Sequence, residues 1–165
     1  MKRKIELEKL DEEGYASLYV FNIDGGDYEY LKYYSEFEND KKVQWDFDVI
    51  DRRIEKILED GAEDEHFRRE GKAVKALPIE TSLLRLYCYR ISPKILILGN
   101  GGLKPRNKKE PEKNKTQNFP ILNKYCETIR LIGDEIKLQI KSGKVIKKGN
   151  ELIGLKPFII DIPDD

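Results

Sequence analysis

The chain has 165 residues, with 31 Lys+Arg against 31 Asp+Glu, one His, two Cys and one Trp. One histidine and two distant cysteines exclude a His-rich or C-x-x-C zinc site and a disulfide framework, and no apolar stretch approaches the roughly 18–20 residues of a membrane span. The charged fraction of 38% exceeds the ~25% of an average domain, yet the apolar residues fall in periodic runs, which predicts a folded chain.

Neutrality hides a split. Residues 1–65 carry 10 basic and 20 acidic side chains, a net −10, and residues 66–165 carry 21 and 11, a net +10. Such asymmetry points to a polyanionic partner for the basic half. The length suits one domain over 1–165. The stretch Met1-Lys2-Arg3-Lys4-Ile5-Glu6 contains no apolar signal region, which predicts a cytoplasmic protein.

In chain order, Lys4–Leu10 alternates and Tyr15–Ile23 is aromatic and β-branched, which predicts a hairpin across the turn Asp11-Glu12-Glu13-Gly14. Asp27 is the expected N-cap of a short helix with Tyr30, Leu31, Tyr34 and Phe37 on its apolar stripe. A second helix begins near Asp46, with Phe47, Ile50, Ile54, Ile57 and Leu58 at 3–4 spacing and Gly61 just past its end. Asp46, Asp48 and Asp51 fit compensation of its N-terminal dipole. His66, in the polar run Glu63–Arg68, reads as solvated, and residues 62–72 read as charged and irregular.

Two strands follow, Leu83–Ile91 and Ile95–Leu98, joined by Ser92-Pro93-Lys94 in an antiparallel hairpin. Period two puts Leu84, Leu86 and Cys88 on one face of the first strand, and Arg85, Tyr87 and Tyr89 on the other. Gly99-Asn100-Gly101-Gly102 reads as a tight turn, since it lacks a phosphate-loop pattern, and it opens a basic loop from Leu103 to Thr116. Pro120 begins the longest helix, with Leu122, Tyr125, Ile129, Ile132, Ile136 and Ile140 along one face and Ser142-Gly143 as its stop. Beyond it lie Lys144–Lys147, a turn at Lys148-Gly149-Asn150, and an extended tail Leu152–Ile162. The pattern is α+β, with a mainly antiparallel sheet, a helical hairpin and a long additional C-terminal helix.

The chemistry-bearing constellation is the face Arg85-x-Tyr87-x-Tyr89, with Lys94 across the hairpin and the loop Lys104-Pro105-Arg106 beside it. Guanidinium groups hold phosphates and aromatic rings stack unpaired bases, a combination suited to RNA. It also suits RNA cleavage without a metal or any other cofactor. Attack of a 2′-hydroxyl on its own phosphate needs proton abstraction, charge neutralisation and leaving-group protonation. The expected site is a shallow groove floored by Arg85, Tyr87 and Tyr89 and rimmed by Lys72, Lys75, Lys104 and Arg106. Lys94, Lys108 and Lys109 add RNA contacts. Arg85 would hold the scissile phosphate, Lys104 or Arg106 would stabilise developing charge, and Tyr87 or a lysine would take the 2′-hydroxyl proton.

A helical hairpin, Glu70-Gly71-Lys72 leading to Lys75-Ala76-Leu77-Pro78, the hairpin of Leu84-Arg85-Leu86-Tyr87 with Ile95-Leu96-Ile97-Leu98-Gly99, then a basic loop and a helix together resemble the RelE/HigB-type toxins of bacterial type II toxin–antitoxin systems, in their phage-derived Gp49-like branch. The likeness covers residues 45–130, with an N-terminal β-hairpin and C-terminal helix and strands added. It implies a RelE-like fold, cleavage of mRNA (often on the ribosome), and inhibition by a small antitoxin, typically a helix-turn-helix protein. By position it matches Arg85 to the family's mid-strand arginine, Lys104 or Arg106 to the basic group after the last core strand, and Lys72 and Lys75 to the preceding lysines. The family's catalytic tyrosine finds only Tyr125, which falls on the apolar stripe. Two alternatives share the pattern: a ParE-like toxin that binds a topoisomerase, and a non-catalytic protein-binding module of a mobile element.

Overall fold

The computed structural model describes residues 1–11, 14–70, 73–80, 82–105 and 108–164. The alternating N-terminal runs form β1 (Lys2–Asp11) and β2 (Ser17–Ile23), paired antiparallel as expected. Helix α1 (Glu29–Phe37) and helix α2 (Gln44–Asp60) make the helical hairpin, bridged by a short turn at Lys41–Val43 in which the Asp40 side chain accepts from the Lys42 amide. Then come β3 (Arg68–Arg69), β4 (Val74–Leu77), β5 (Leu84–Ser92) and β6 (Ile95–Leu103). The long helix α3 (Pro120–Ser142) precedes a small hairpin of β7 (Ile146–Lys148) and β8 (Glu151–Ile153), and β9 (Phe158–Asp161) returns to the main sheet.

The main sheet has the order β3-β4-β5-β6-β2-β1-β9. Every neighbouring pair is antiparallel except β2 and β6, which run parallel because the helical hairpin carries the chain across between them. The fold is therefore α+β with a mainly antiparallel sheet. The alternation along β5 holds. Leu84, Leu86 and Cys88 enter the core beneath α1 and α2, with Phe47, Ile50, Ile54 and Ile57. Tyr87 and Tyr89 enter a second core beneath α3, with Leu122, Ile129, Ile132 and Ile136. Both sheet faces are thus covered at β5 and β6, and each fully buried aliphatic side chain there contributes about 1.5–3 kcal/mol.

Three expectations need correction. Helix α1 starts after Tyr28, not Asp27: Tyr28 is its N-cap, without a side-chain cap bond, and its hydroxyl donates to Glu8. On α1 the buried stripe runs through Tyr30, Tyr33 and Phe37 while Leu31 is exposed, because Tyr33 stacks on Phe47 at 5.8 Å. Residues 99–102 are no turn but the second half of β6, opposite Leu86 and Arg85 across a register shift. The glycines serve close approach there. A Cβ on Gly99 would lie 2.9 Å from Ile129 Cδ1, and one on Gly101 would overlap the Arg85 carbonyl. Glycine inside a strand marks such a bulge.

Gly133 does the same on α3, where a Cβ would overlap the buried Tyr89 ring. Helix propensity alone makes Gly133→Ala stabilising by about 1 kcal/mol. Overpacking against an immobile ring costs about 1–3 kcal/mol or more, so the variant should melt lower than the parent. A raised Tm would show that α3 does not seat on Tyr89 as described.

Candidate functional site

At one end of the sheet the ladder gathers three cations. The pairs Leu84↔Leu103 and Arg85↔Gly102 bring the start of β5 beside the end of β6, so Arg85 and Lys104 meet. The pairs Arg68↔Ala76 and Ala76↔Tyr87 set Arg68 on the same side, two strands away. Arg68, Arg85 and Lys104, with Pro105, Pro111 and Asn114, line a cleft of about 180 Å³. Arg85 is only 5% exposed. Its Nη1 donates to the carbonyls of Ser82 at 2.6 Å and Leu84 at 3.0 Å. Arg68 donates from Nε to the Pro78 carbonyl at 3.2 Å and from Nη2 to the Glu80 carbonyl at 3.0 Å. Carbonyl partners satisfy hydrogen-bond donors and fix the guanidinium planes without cancelling their charge.

Lys104 begins a polar chain. Its Nζ donates to Thr116 Oγ1 at 3.0 Å, and that hydroxyl donates to Glu70 Oε2 at 3.0 Å. The Tyr87 hydroxyl lies 3.4 Å from the same Thr116 oxygen. Burial pushes the Lys104 ammonium below the ordinary lysine range, Arg85 and Arg68 add to the shift, and Glu70 opposes it. Burial pushes the Tyr87 phenol in the other direction, upward, against the pull of Thr116 and Arg85. Among the described residues, three cations and the Glu70 carboxylate meet at the cleft.

The structure unites Arg85 and Lys104 and separates most of the other expected residues. Tyr87 is fully buried and Tyr89 is 1% exposed, its hydroxyl donating to Asp134 at 2.6 Å. Both rings are covered by α3, so neither floors an open groove nor stacks a base, and the raised phenol of Tyr87 makes it a poor proton acceptor. Lys75 follows the β4 alternation to the opposite face, where its buried Nζ lies 3.6 Å from Asp64. Lys94 sits at the far hairpin, over the Tyr15 ring at 5.1 Å, about 20 Å along β5 from Arg85 at strand rise. Lys108 and Lys109 are exposed on the loop that leads to the cleft wall at Pro111 and Asn114. Lys72 and Arg106 lie outside the described residues. His66 is 4% exposed, not solvated: it packs edge-on against Phe67, and its Nδ1 lies 3.4 Å from Arg53 Nη1.

Arg68, Glu70 and Thr116 went unread in the sequence. The two-residue strand β3 is too short to show alternation, and Thr116 reaches the cleft only through the turns at Pro111–Asn114 and Thr116–Asn118. A roomier cleft of about 650 Å³ between the start of α3 and the C-terminal tail carries Lys124 beside Glu127 and Asp164, so it has no cationic field. Among the described residues no three His, Cys, Asp or Glu side chains converge, and no helix is long and apolar enough to cross a membrane. No protein-family model, curated protein or solved structure matches the chain.

Because the Glu70 carboxylate favours the charged form of Lys104, Glu70→Gln should lower the Lys104 pKa further. Heteronuclear NMR titration of the lysine side chains reads this directly. An unchanged or raised value would contradict the Lys104–Thr116–Glu70 chain.

Proposed function

We propose that the protein cleaves RNA at the Arg68–Arg85–Lys104 cleft as a toxin of the RelE/HigB type, restrained by a small antitoxin, the helix-turn-helix class being the first expectation. The observation that carries this is three cations held at the end of a doubly covered sheet, one of them a lysine kept below its ordinary range. The order of helical hairpin, antiparallel strands, basic segment and helix supports the same family.

In this mechanism the planar forks of Arg85 and Arg68 hold the oxygens of one phosphodiester. The 2′-oxygen attacks phosphorus, the bond to the 5′-oxygen breaks, and the products are a 2′,3′-cyclic phosphate and a 5′-hydroxyl. The fraction of Lys104 that has lost its proton takes the 2′-hydroxyl proton, and the departing oxygen takes one from solvent. Arg85 stabilises the charge that builds on the phosphorane. The buried Tyr87 phenol keeps its own proton and is not the base. It holds Thr116, which positions Lys104.

Lys104→Ala and Arg85→Lys should each lower single-turnover RNA cleavage about 10²–10³-fold, with folding checked by thermal melt, and should relieve growth arrest on induction. The rate of the parent should rise with pH as Lys104 loses its proton, and Lys104→Arg should abolish that limb because guanidinium does not deprotonate. A parent chain that neither cleaves RNA nor slows growth would overturn the proposal and leave the cleft to a protein partner.

A further inference from the structure

The only tryptophan of the chain, Trp45, is 62% exposed on the first turn of α2. Helical spacing stacks Val49, Arg52, Arg53 and Lys56 along the same face, and these residues with Glu80 line a second cleft of about 320 Å³. Exposing so large an apolar ring costs solvation free energy that burial would recover, and beyond Val49 this helix face carries the cations Arg52, Arg53 and Lys56, Arg53 paired with Glu80 and Lys56 lying 3.6 Å from Glu59. Arg52 and Lys56 are both exposed.

Glu80 is bonded from a residue of each cleft. Arg53 Nε donates to the Glu80 carboxylate at 2.9 Å from one side, and Arg68 Nη2 donates to the Glu80 carbonyl at 3.0 Å from the other. The Leu83 amide donates to Asp46, next to Trp45, at 2.9 Å, while Arg85 holds the Ser82 carbonyl. Glu80 and residues 82–85 are thus tied to both clefts. Together the clefts gather two sets of basic residues, Arg52, Arg53 and Lys56 on α2 and Arg68, Arg85 and Lys104 in the cationic cleft, with the exposed Trp45 ring on the first turn of α2.

We propose that Trp45 is a base-stacking post for single-stranded RNA, whose flanking phosphates Arg52 and Lys56 contact while another phosphate of the strand occupies the Arg68–Arg85–Lys104 cleft. Alternating cations and an exposed indole are the chemistry that binds single strands without reading sequence. The track rests on the RNA reading of that cleft and adds to it a length of strand held on α2.

The test uses the full chain and a 2′-O-methyl oligouridylate, which binds as a single strand but has no free 2′-hydroxyl to attack. Its addition should quench the fluorescence of Trp45 saturably. Trp45→Ala should weaken binding about tenfold by anisotropy of a labelled oligomer, and Trp45→Phe should restore most of it. Arg52→Ala combined with Lys56→Ala should reduce the slope of log affinity against log salt by about 1.4, the value for two lost phosphate contacts to a single strand. Because Trp45 is exposed, these variants should keep the parent Tm. If the oligomer binds and Lys104→Ala weakens it while Trp45 fluorescence and the Trp45→Ala affinity stay unchanged, the track is wrong and the RNA cleft stands. The exposed indole would then belong to a protein contact. If the oligomer does not bind the parent at all, both fall together.

Discussion

Arg85 is a charge that the fold has taken almost wholly out of water, and most of the site geometry follows from how its guanidinium is satisfied. A buried cation left without partners destabilises a protein by about 3–5 kcal/mol. Here the Ser82 and Leu84 carbonyls supply partners within three residues of chain. That local loop fixes the entry to β5, and the entry to β5 fixes its neighbours: Leu83 bonds Asp46 of α2, and the Lys104 amide bonds the Leu83 carbonyl at 2.6 Å. The end of β6 is thereby pinned beside Arg85. Carbonyl dipoles do not cancel a charge, and after burial the Arg85 guanidinium is among the groups that disfavour the Lys104 ammonium.

The second constraint is the cover on both faces of β5. Helix α3 lies close because Gly99, Gly102 and Gly133 present no Cβ where Ile129, Leu122 and Tyr89 must sit. Close packing makes the sheet end rigid, and rigidity is what a charge-stabilising site requires, since misplacement by about an ångström forfeits much of the effect. The same cover removes Tyr87 and Tyr89 from solvent. Aromatic surface for a base is instead available on α2, at Trp45.

How much of this was legible in the sequence depended on period and length. The two faces of β5, the hairpin at Ser92–Lys94, both helices of the hairpin and the full span of α3 could be read, because each repeats its apolar pattern over two or more turns or pleats. Arg85 and Lys104 could be read as neighbours because the basic segment follows the strand that pairs with β5, although the register sets Gly102, not Lys104, opposite Arg85. What could not be read was which face of β5 stayed open: alternation separates Arg85, Tyr87 and Tyr89 from the leucines but does not say that α3 covers two of the three. The glycine run misled because close packing and tight turning demand the same residue. Arg68 and Thr116 reach the cleft through a two-residue strand and a pair of short turns, whose placement depends on tertiary contacts alone.

In the proposed site Arg68, Arg85 and Lys104 act together on one phosphate. Side-chain NMR of the full chain, following arginine Nε–H and lysine Nζ signals during titration with a 2′-O-methyl dinucleotide, tests it most directly. The Arg68, Arg85 and Lys104 signals should shift together with a common midpoint, while those of Lys75 and Lys94 stay in place. Shifts at Lys75 or Lys94 with a silent Arg85 and Lys104 would contradict it.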